Sequence, residues 1–258
     1  MLSAQQVLDF NRNGYLVLPA FESVEFCESI IAFVKEELQK HVAPIEYEAD
    51  TQYPGAPSSR EAEGGKTARR LLGAYARGPL LANWATSAKL RENLQQLLKG
   101  DVYLSQCHHN CVMTKQPAYS SRTGWHRDSR YWNFARPALI SAWLALGNEH
   151  HENGCLWVIP ASQTFAIDAE QLDELQFLRT DIERNKPLLD EAIAVPLNQG
   201  DLLLFHSNLF HAAGRNMTGN TKFSMVFTYR DSGNLPKQGT RSSVLPDVLL
   251  QATKEPKN

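Results

Sequence analysis

The second half of the chain is a succession of short apolar runs separated by turn residues, and this pattern limits the fold most. Between residues 101 and 230 the runs are rich in Val, Ile, Leu, Phe, Trp and Tyr. Such runs are typical of β-strands. In residues 1–100, apolar side chains instead recur at three- and four-residue steps, which indicates amphipathic helices. Helices followed by many short strands predict an α+β chain with an antiparallel β-sandwich or barrel.

The N-terminal region is predicted to hold helices, one strand and one long loop. The periodicity predicts helices at residues 3–13, 22–41 and 71–98, and a strand at residues 14–19. Residues 44–70 carry many prolines, glycines and serines with few apolar residues, which predicts a long loop. A loop of this length in a compact domain is often a lid over a site, although an ordinary surface loop is an open alternative.

Composition and charge exclude several classes of protein. The chain has 258 residues, of which 43% are hydrophobic and 21% charged, enough for one domain with a large core. Its formal net charge of −2 lacks the basic excess of a nucleic-acid-binding surface. Neither a signal peptide nor a membrane-spanning run is evident, so we expect a cytoplasmic protein. The four cysteines are expected to be reduced.

His126 and Asp128 form the motif with the most chemical content. In an extended strand, side chains at i and i+2 project from the same face, so an imidazole and a carboxylate point to one place. Two histidines and one carboxylate on one face of an octahedron bind iron in non-haem Fe(II) oxygenases. His206 and His211 follow another strand, and either could be the third ligand. We favour His211, because Lys222 would then begin the returning antiparallel strand beside it.

Lys222 offers a positive charge to an anionic co-substrate. An Fe(II) oxygenase needs two electrons beyond those that its substrate supplies, and oxidative decarboxylation of 2-oxoglutarate provides them. The distal carboxylate of 2-oxoglutarate then needs a buried cation, because an unpaired buried carboxylate would be too costly. Lys222 would meet it as a point charge, without the bidentate fork of an arginine.

These features together resemble the phytanoyl-CoA hydroxylase family of Fe(II)/2-oxoglutarate dioxygenases over about residues 100–230. The family usually has arginine where this chain has Lys222, which is a departure. The matching stretches are Trp125-His126-Arg127-Asp128 with Tyr131-Trp132, Phe134 with Arg136-Pro137, Trp143 within residues 141–146, Asn153-Gly154 leading to Pro160, Gly200-Asp201, and His211 followed by Asn216 and the basic residue at 222.

The resemblance implies one domain, residues 1–258, of α+β class. Its core would be a double-stranded β-helix (a cupin-like jelly roll) at residues 101–235, with the N-terminal helices of residues 1–100 packed on one sheet and a C-terminal tail at 236–258. The implied cofactors are Fe(II), 2-oxoglutarate and O2. The implied metal ligands are His126, Asp128 and His211. The implied 2-oxoglutarate-binding residues are Lys222, Trp132, Trp143, Asn110 and Lys115.

Within the family, the chain is most similar to bacterial hydroxylases of 3-deoxy-D-manno-octulosonic acid, the inner sugar of lipopolysaccharide. The similarity lies in residues 53–57, 108–115 and 125–132. An acidic sugar would suit nearby basic side chains, for each of which a solvated surface position is an equal alternative. These are Arg69, Arg70, Arg122, Arg127 and Arg130.

The resemblance leaves other substrates and functions open. An amino acid, a phosphonate or an acyl thioester could replace the sugar. A lipid-linked sugar would require transient contact with the inner membrane surface, yet no basic amphipathic helix is evident. A non-catalytic metal-binding β-protein is the main alternative. A halogenase is disfavoured by Asp128, and structural zinc at residues 107–111 by the lack of a second ligand pair. The sequence contains no signal for an oligomeric state.

Overall fold

A computed structural model of the chain describes residues 1–51 and 53–251. Its helices and strands follow the predicted order, with helices mainly in the first hundred residues. The helices are α1 (Ala4–Asn13), α2 (Val24–Gln39), α3 (Ala74–Arg77), α4 (Pro79–Ala85), α5 (Ala88–Leu98) and α6 (Lys186–Asp190). The strands are β1 (Tyr15–Leu18), β2 (Ile45–Tyr47), β3 (Ala68–Leu72), β4 (Val102–Lys115), β5 (Thr123–His126), β6 (Ile140–Ala145), β7 (Leu156–Val158), β8 (Ile193–Val195), β9 (Leu202–His206), β10 (His211–Ala213), β11 (Lys222–Asp231) and β12 (Val248–Leu249).

Local capping explains where the first helices begin. The Ser3 hydroxyl accepts a hydrogen bond from the Gln6 backbone, and the Gln6 side chain accepts one from the Ser3 backbone. This reciprocal capping box satisfies two backbone N–H groups at the start of α1. Gly14, with φ of 78°, ends the helix in the left-handed conformation. The Ser23 hydroxyl accepts a hydrogen bond from the Phe26 backbone at the start of α2. The predicted helices at 3–13 and 22–41 are confirmed.

The strands form two facing antiparallel sheets. The large sheet has the order β1-β9-β6-β11-β4-β3-β2, with β12 paired to β4, and the small sheet has the order β5-β10-β7-β8. The helices pack against one face of the large sheet, and the small sheet covers the other face. The predicted double-stranded β-helix with N-terminal helices on one sheet is therefore confirmed.

Alternation along the strands of the large sheet separates two cores. On β9, Leu202 and Leu204 pack toward the helices, while Leu203 and Phe205 pack toward the small sheet. Successive side chains of a strand point to opposite faces, and β9 is buried on both, so it has no polar side. On β11 the face toward the small sheet begins with Lys222, which is buried. The space between the sheets thus contains polar groups at one end.

The prediction of a loop over residues 44–70 is wrong at both ends of this range. Strand β2 at its start and strand β3 at its end extend the large sheet. Arg69 points inward from β3 and is almost fully buried. Its guanidinium lies 3.2 Å from the carboxylate of Glu48 and donates to the hydroxyls of Ser121 and Thr123. These partners lie up to 54 residues away along the chain, so the local composition did not reveal the strand.

The predicted C-terminal tail packs on the core as far as residue 251. We call residues 235–251 the C-terminal segment. Its strand β12 pairs with β4, and Asp247 forms a buried ion pair of 2.5 Å with Arg230 of β11. The rest of the predicted tail, residues 252–258, lies outside the described residues. Within the described ranges, no helix has the length and apolar character needed to cross a membrane.

Candidate functional site

His126, Asp128 and His211 come together at one end of the small sheet. His126 is the last residue of β5, His211 is the first of β10, and the two are paired across these strands. Asp128 does not continue the strand as predicted, because it begins a short 3-10 turn over Asp128–Tyr131. The backbone of Arg127 is extended, so the two side chains still meet. One oxygen of Asp128 lies 3.6 Å from His126 Nε2 and 3.5 Å from His211 Nε2.

The hydrogen bonds around the triad prepare its atoms for a cation. The Nδ1 atoms of His126 and His211 lie 2.9 Å and 3.1 Å from the backbone carbonyls of Gly124 and Leu209. Carbonyls only accept hydrogen bonds, so each Nδ1 carries a proton and Nε2 is the atom that each ring presents to a metal ion. Burial lowers the pKa of His126 to about 3, and the nearby His211 adds to this effect. His126 is therefore neutral, as a metal ligand must be.

Asp128 supplies the negative charge of the site. Burial alone would raise its pKa, but His109, His211 and His126 outweigh burial and hold the pKa of this carboxyl far below its ordinary value. Its Oδ2 atom is buried and has no hydrogen-bond partner among the described residues. Nδ1 of His109 lies 3.4 Å from this oxygen. Buried polar atoms without partners are rare in folded proteins, and a bound cation would satisfy this oxygen. Two imidazoles and one carboxylate with an unpartnered oxygen fit a divalent metal ion.

The three candidate ligand atoms lie within 4.8 Å of one another. Among the described residues, this triad is the only cluster of His, Cys, Asp or Glu that meets this criterion for holding a metal ion. His206, the alternative third ligand, instead accepts a hydrogen bond from the backbone of Asn208 at 3.0 Å.

A cavity between the two sheets opens beside the imidazoles. We call it the first cavity, and it is lined by residues of both sheets. Trp143, Ser224 and Lys222 line it from the large sheet, and His211 lines it from the small sheet. The prediction that strand pairing places Lys222 beside His211 is wrong. Strand β11, which carries Lys222, pairs with β4 and β6, whereas β10, which carries His211, belongs to the other sheet. The two residues instead face the same cavity from opposite sheets.

Lys222 has a buried partner that was not predicted. Its Nζ atom lies 2.7 Å from a carboxylate oxygen of Glu149, which is 1% exposed. The other oxygen of Glu149 accepts hydrogen bonds from Trp143 Nε1 at 2.9 Å and from Ser224 Oγ at 2.6 Å. Glu149 thus orients three groups of the first cavity and neutralises Lys222. No local pattern marks Glu149, although a buried lysine does require an acidic partner somewhere.

Lys115 is the second lysine of the first cavity and is directly paired with Lys222 across β4 and β11. Its Nζ atom donates to the backbone carbonyls of Ser121, at 3.1 Å, and Gly214. No described carboxylate forms an ion pair with it. Burial lowers the pKa of Lys115 to about 7, with Lys222 and Arg69 as further causes. The first cavity therefore holds a positive group that lacks a counter-charge.

The sequence profile of the phytanoyl-CoA dioxygenase (PhyH) family matches residues 10–224, most of the chain. This protein belongs to the PhyH family. Membership confirms the predicted enzyme class, an Fe(II)- and 2-oxoglutarate-dependent dioxygenase, and the predicted cofactors Fe(II), 2-oxoglutarate and O2.

Curated PhyH relatives and solved structures agree with this assignment. The ectoine dioxygenase of Sphingopyxis alaskensis is 27% identical over 251 residues, covering 90% of this chain and 77% of the relative. The phytanoyl-CoA dioxygenase 1 of Oryza sativa subsp. japonica is 31% identical over 107 residues, covering 40% and 37%. The crystal structure of EctD from S. alaskensis with 2-oxoglutarate and 5-hydroxyectoine has a TM-score of 0.76 at 22% identity, over 92% and 78% of the two chains. The nogalamycin-biosynthesis epimerase SnoN, in complex with Fe3+ and alpha ketoglutarate, has a TM-score of 0.73 at 16% identity, over 96% and 98%.

Two residues that the PhyH resemblance implied lie away from both cavities at the triad. Asn110 is on the opposite face of β4 from Lys115, where its side chain accepts a hydrogen bond from the backbone of Tyr75 in α3 at 2.7 Å. Arg127 donates to the carbonyls of Ser162 and Phe165, both at 2.8 Å, instead of facing a substrate. Both side chains serve the scaffold, so we retain neither as a ligand-binding residue.

A second cavity of about 230 Å³ lies on the side of the triad away from the first cavity's lysines. His126 and Asp128 line it together with three arginines, Arg70, Arg130 and Arg241. Trp132, implied as a wall of the 2-oxoglutarate site, lines this second cavity and not the first, where Trp143 does line the wall. Arg241 was not predicted, because it lies in the C-terminal segment, far from every motif. Of the other predicted arginines, Arg69 lines the first cavity and Arg122 lines neither.

Proposed function

We propose that this PhyH protein hydroxylates a C–H bond of a small acidic substrate, with Fe(II) bound by His126, Asp128 and His211. The observation that carries the proposal is the position of the triad between two cavities of different character. The first cavity is basic and enclosed between the sheets. The second cavity opens beside Asp128 and is lined by arginines and aromatic rings. One side would hold the co-substrate and the other side the substrate.

The first cavity suits 2-oxoglutarate because of its charge. Glu149 already balances Lys222, so an added carboxylate at this end would be balanced by Lys115. Buried carboxylates need such a partner, since an uncompensated charge in an enclosed site is strongly unfavourable. The pair Lys115 and Lys222 would thus replace the single arginine that is usual in the family. Trp143 and Ser224, both held by Glu149, would form the adjoining wall.

The protein's own contribution is position, charge and exclusion of water. Bound iron supplies the activation of O2, coupled to oxidation of 2-oxoglutarate. His126 and His211 present their Nε2 atoms to the metal site because backbone carbonyls hold their Nδ1 atoms. The pKa of Asp128 lies far below its ordinary value, so this carboxyl is ionised at neutral pH.

The substrate is proposed at the level of a small acid. The octulosonic acid sugar suggested by the sequence is one such acid, and an amino acid or a phosphonate is another. A lipid-linked sugar would add transient contact with a membrane surface, and an acyl thioester would add a large carrier outside the cavity. The related proteins named above are an ectoine dioxygenase and a phytanoyl-CoA dioxygenase, so substrates differ within the family.

The proposal is tested by succinate release from 2-oxoglutarate on a panel of small acids. We expect His126→Ala and Asp128→Ala to abolish release, while His151→Ala, at an exposed turn, retains it. An anaerobic mixture of Fe(II) and 2-oxoglutarate separates the enzyme from a non-catalytic metal-binding protein. A weak visible charge-transfer band is expected for the enzyme. Undiminished succinate in the Asp128→Ala variant would contradict the assignment of the metal ligands.

A further inference from the structure

We propose that the second cavity binds the carboxylate or phosphonate group of a small substrate through Arg241 and Arg130, and that the C-terminal segment supplies this specificity by holding Arg241 at the cavity. The inference rests on the proposed function, because it assigns the substrate class of the same site. It goes beyond that function by assigning recognition of the acidic group to a part of the chain outside the match to the PhyH profile, which ends at residue 224.

The charges of the second cavity do not balance without an anion. Arg70 is offset by Glu46, whose carboxylate lies 3.2 Å from its Nε atom. The negative charge of Asp128 would be used by the metal ion. Arg130 and Arg241 have no carboxylate partner among the described residues. Two unpaired guanidinium groups facing one small cavity favour an anionic ligand, and guanidinium groups bind carboxylates and phosphonates in bidentate geometry.

Arg130 is held in place by aromatic rings. Its guanidinium carbon lies 3.9 Å from the ring centre of Phe177 and 4.4 Å from that of Tyr131. One Nη1 hydrogen bond, of 3.1 Å, goes to the carbonyl of Leu175. Its Nε atom is buried and has no partner in the described part of the chain. A bound anion would give this donor an acceptor, although Nε atoms of other arginines, such as Arg127, also lack partners.

Arg241 reaches the cavity because the C-terminal segment is fastened on both sides of it. The neighbouring Ser242 accepts a hydrogen bond from the backbone of Asn133 at 2.8 Å, and its hydroxyl lies 2.8 Å from His108 Nε2. Burial, with Arg241 as the next cause, lowers the pKa of His108 to about 3, so its ring is neutral where it contacts this hydroxyl. The side chain of Arg241 itself forms no hydrogen bond or ion pair with any described residue. Arg241 is exposed, and its backbone position at the rim of the second cavity leaves its guanidinium available to an anion there.

The same segment continues along β4 and stays attached. The backbone N–H of Leu245 donates a hydrogen bond to the sulfur of Cys107 at 3.2 Å, and this thiol donates to the carbonyl of Leu245 at 3.7 Å. Pro246 accepts a hydrogen bond of 2.7 Å from Gln106, and Asp247 forms the buried pair with Arg230. Together with β12, these contacts make the segment part of the fold, so that the position of Arg241 is fixed relative to β4.

The size of the second cavity selects a small molecule. Its volume of about 230 Å³ is below the roughly 300–1,000 Å³ of pockets for drug-sized ligands. Trp132, Tyr131 and Tyr53 form its walls and limit it further. A free small acid would fill this space, whereas a carrier-linked or lipid-linked substrate would leave most of its mass outside.

Anion binding is tested without turnover by titrating inorganic phosphate, methylphosphonate and acetate into the metal-free protein by calorimetry, with and without saturating 2-oxoglutarate. We expect binding that persists under saturating 2-oxoglutarate, because Arg130 and Arg241 line only the second cavity, whereas Lys115 and Lys222 line only the first. Arg241→Gln should weaken this binding about tenfold, the effect of losing one charge-assisted hydrogen bond. Arg241→Lys should recover part of it. Arg12→Gln, an equal loss of charge at an exposed helix end, should leave it unchanged.

Substrate class is tested by pairing each small acid of the panel with its neutral amide or ester. Only the acids should stimulate succinate release, and Arg241→Gln should raise their KM more than it lowers kcat. Stronger stimulation by carboxylates or by phosphonates identifies which of the two anions the site takes.

Several outcomes would overturn the inference. These are no binding of any of the three anions, their complete displacement by 2-oxoglutarate, equal affinity in Arg241→Gln, or equal stimulation by acids and amides. Failure of the proposed function is a different result. In that case Fe(II) and 2-oxoglutarate would not bind and no succinate would form, while the Arg241-dependent anion binding of the metal-free protein would remain.

Discussion

Lys115 and Lys222 are paired residues on neighbouring strands, and both side chains line the first cavity. Like charges directly opposite each other destabilise an antiparallel pair of strands. Glu149 compensates Lys222 at 2.7 Å, whereas Lys115 contacts only backbone carbonyls. A bound carboxylate would supply the missing charge. The cavity is therefore least stable when empty and protonated, which connects co-substrate binding to pH.

The affinity for 2-oxoglutarate should fall as the pH rises above about 7. The pKa of Lys115 is lowered from 10.5 to about 7 in the free protein, so above this pH the lysine must take up a proton to pair with a carboxylate. The dissociation constant should rise by up to about tenfold per pH unit until the pKa of the bound state is reached. Calorimetry in buffers of differing ionisation enthalpy would detect the proton uptake. Lys115→Arg, which stays charged, should bind with little pH dependence, and a pH-independent wild type would contradict the assignment.

The lowered pKa of Lys115 also predicts how the stability of the protein without 2-oxoglutarate depends on pH. Between about pH 7 and the ordinary lysine pKa, the unfolded chain binds more protons at Lys115 than the folded chain does. The free energy of unfolding contributed by this group should therefore increase with pH through that window. Urea unfolding of wild type and Lys115→Met at several pH values measures it. If the free energies of unfolding of the two proteins changed with pH in parallel, Lys115 would not be the cause of the pH dependence.

The buried pair of Lys222 and Glu149 should behave as one unit in a double-mutant cycle. Lys222→Met or Glu149→Gln alone leaves one charge buried and should lower the free energy of unfolding by about 3–5 kcal/mol. The double variant leaves neither charge, so its loss should be smaller than the sum of the single losses. Urea unfolding of the four proteins provides the measurement. Additive losses would mean that the two charges are not coupled.

Metal binding should stabilise the folded protein through the triad. An ion that binds only the folded state at a hundred times its dissociation constant contributes about 2.7 kcal/mol. The unfolding temperature should rise on addition of Fe(II) under anaerobic conditions, or of a redox-inert divalent ion, and a chelator should reverse the rise. Asp128→Asn should lose most of this effect while His151→Ala keeps it. An unchanged response in Asp128→Asn would remove this residue from the ligands.

Arg69 should be far more important for stability than a similar ion pair at the surface. Its pair with Glu48 is buried, whereas Arg60 pairs with Asp50 at a surface where the arginine side chain is 51% exposed. Arg69→Met leaves Glu48 charged and buried and should cost about 3–5 kcal/mol, while Arg60→Met should cost at most about 1 kcal/mol. Chemical denaturation compares the two variants. Equal losses would show that burial does not set the difference.

The sequence predicted those parts of the site that are local in the chain. His126 and Asp128 are two residues apart, and His211 follows a strand whose apolar character is evident on its own. The alternation of β4 could also have excluded Asn110, because Lys115, at an odd number of positions further on, faces the first cavity. The resemblance to the family assigned Asn110 to the site without testing it against this period of two.

The remaining parts of the site depend on which strands become neighbours, which no local pattern encodes. Glu149 meets Lys222 only because the turn after β6 folds over the end of β11. Arg69 appeared to belong to a loop because its partner Glu48 and the hydroxyls near it come from separate segments. Arg241 reaches the second cavity through contacts between the C-terminal segment and β4. In each case a charge is buried far from its partner along the chain, and only the fold shows the pairing.

His126 and His211 are also the residues at which β5 and β10 are joined, in a short ladder whose register shifts before Ala213. An ion held by both imidazoles would connect these two strands at the pair of residues that lies next to the register shift. The proposed iron would then cross-link β5 and β10 at the edge of the small sheet, in addition to its role in catalysis. Loss of the ion would remove this link between β5 and β10. The free energy of local unfolding at this edge of the small sheet should then be lower in the enzyme without iron.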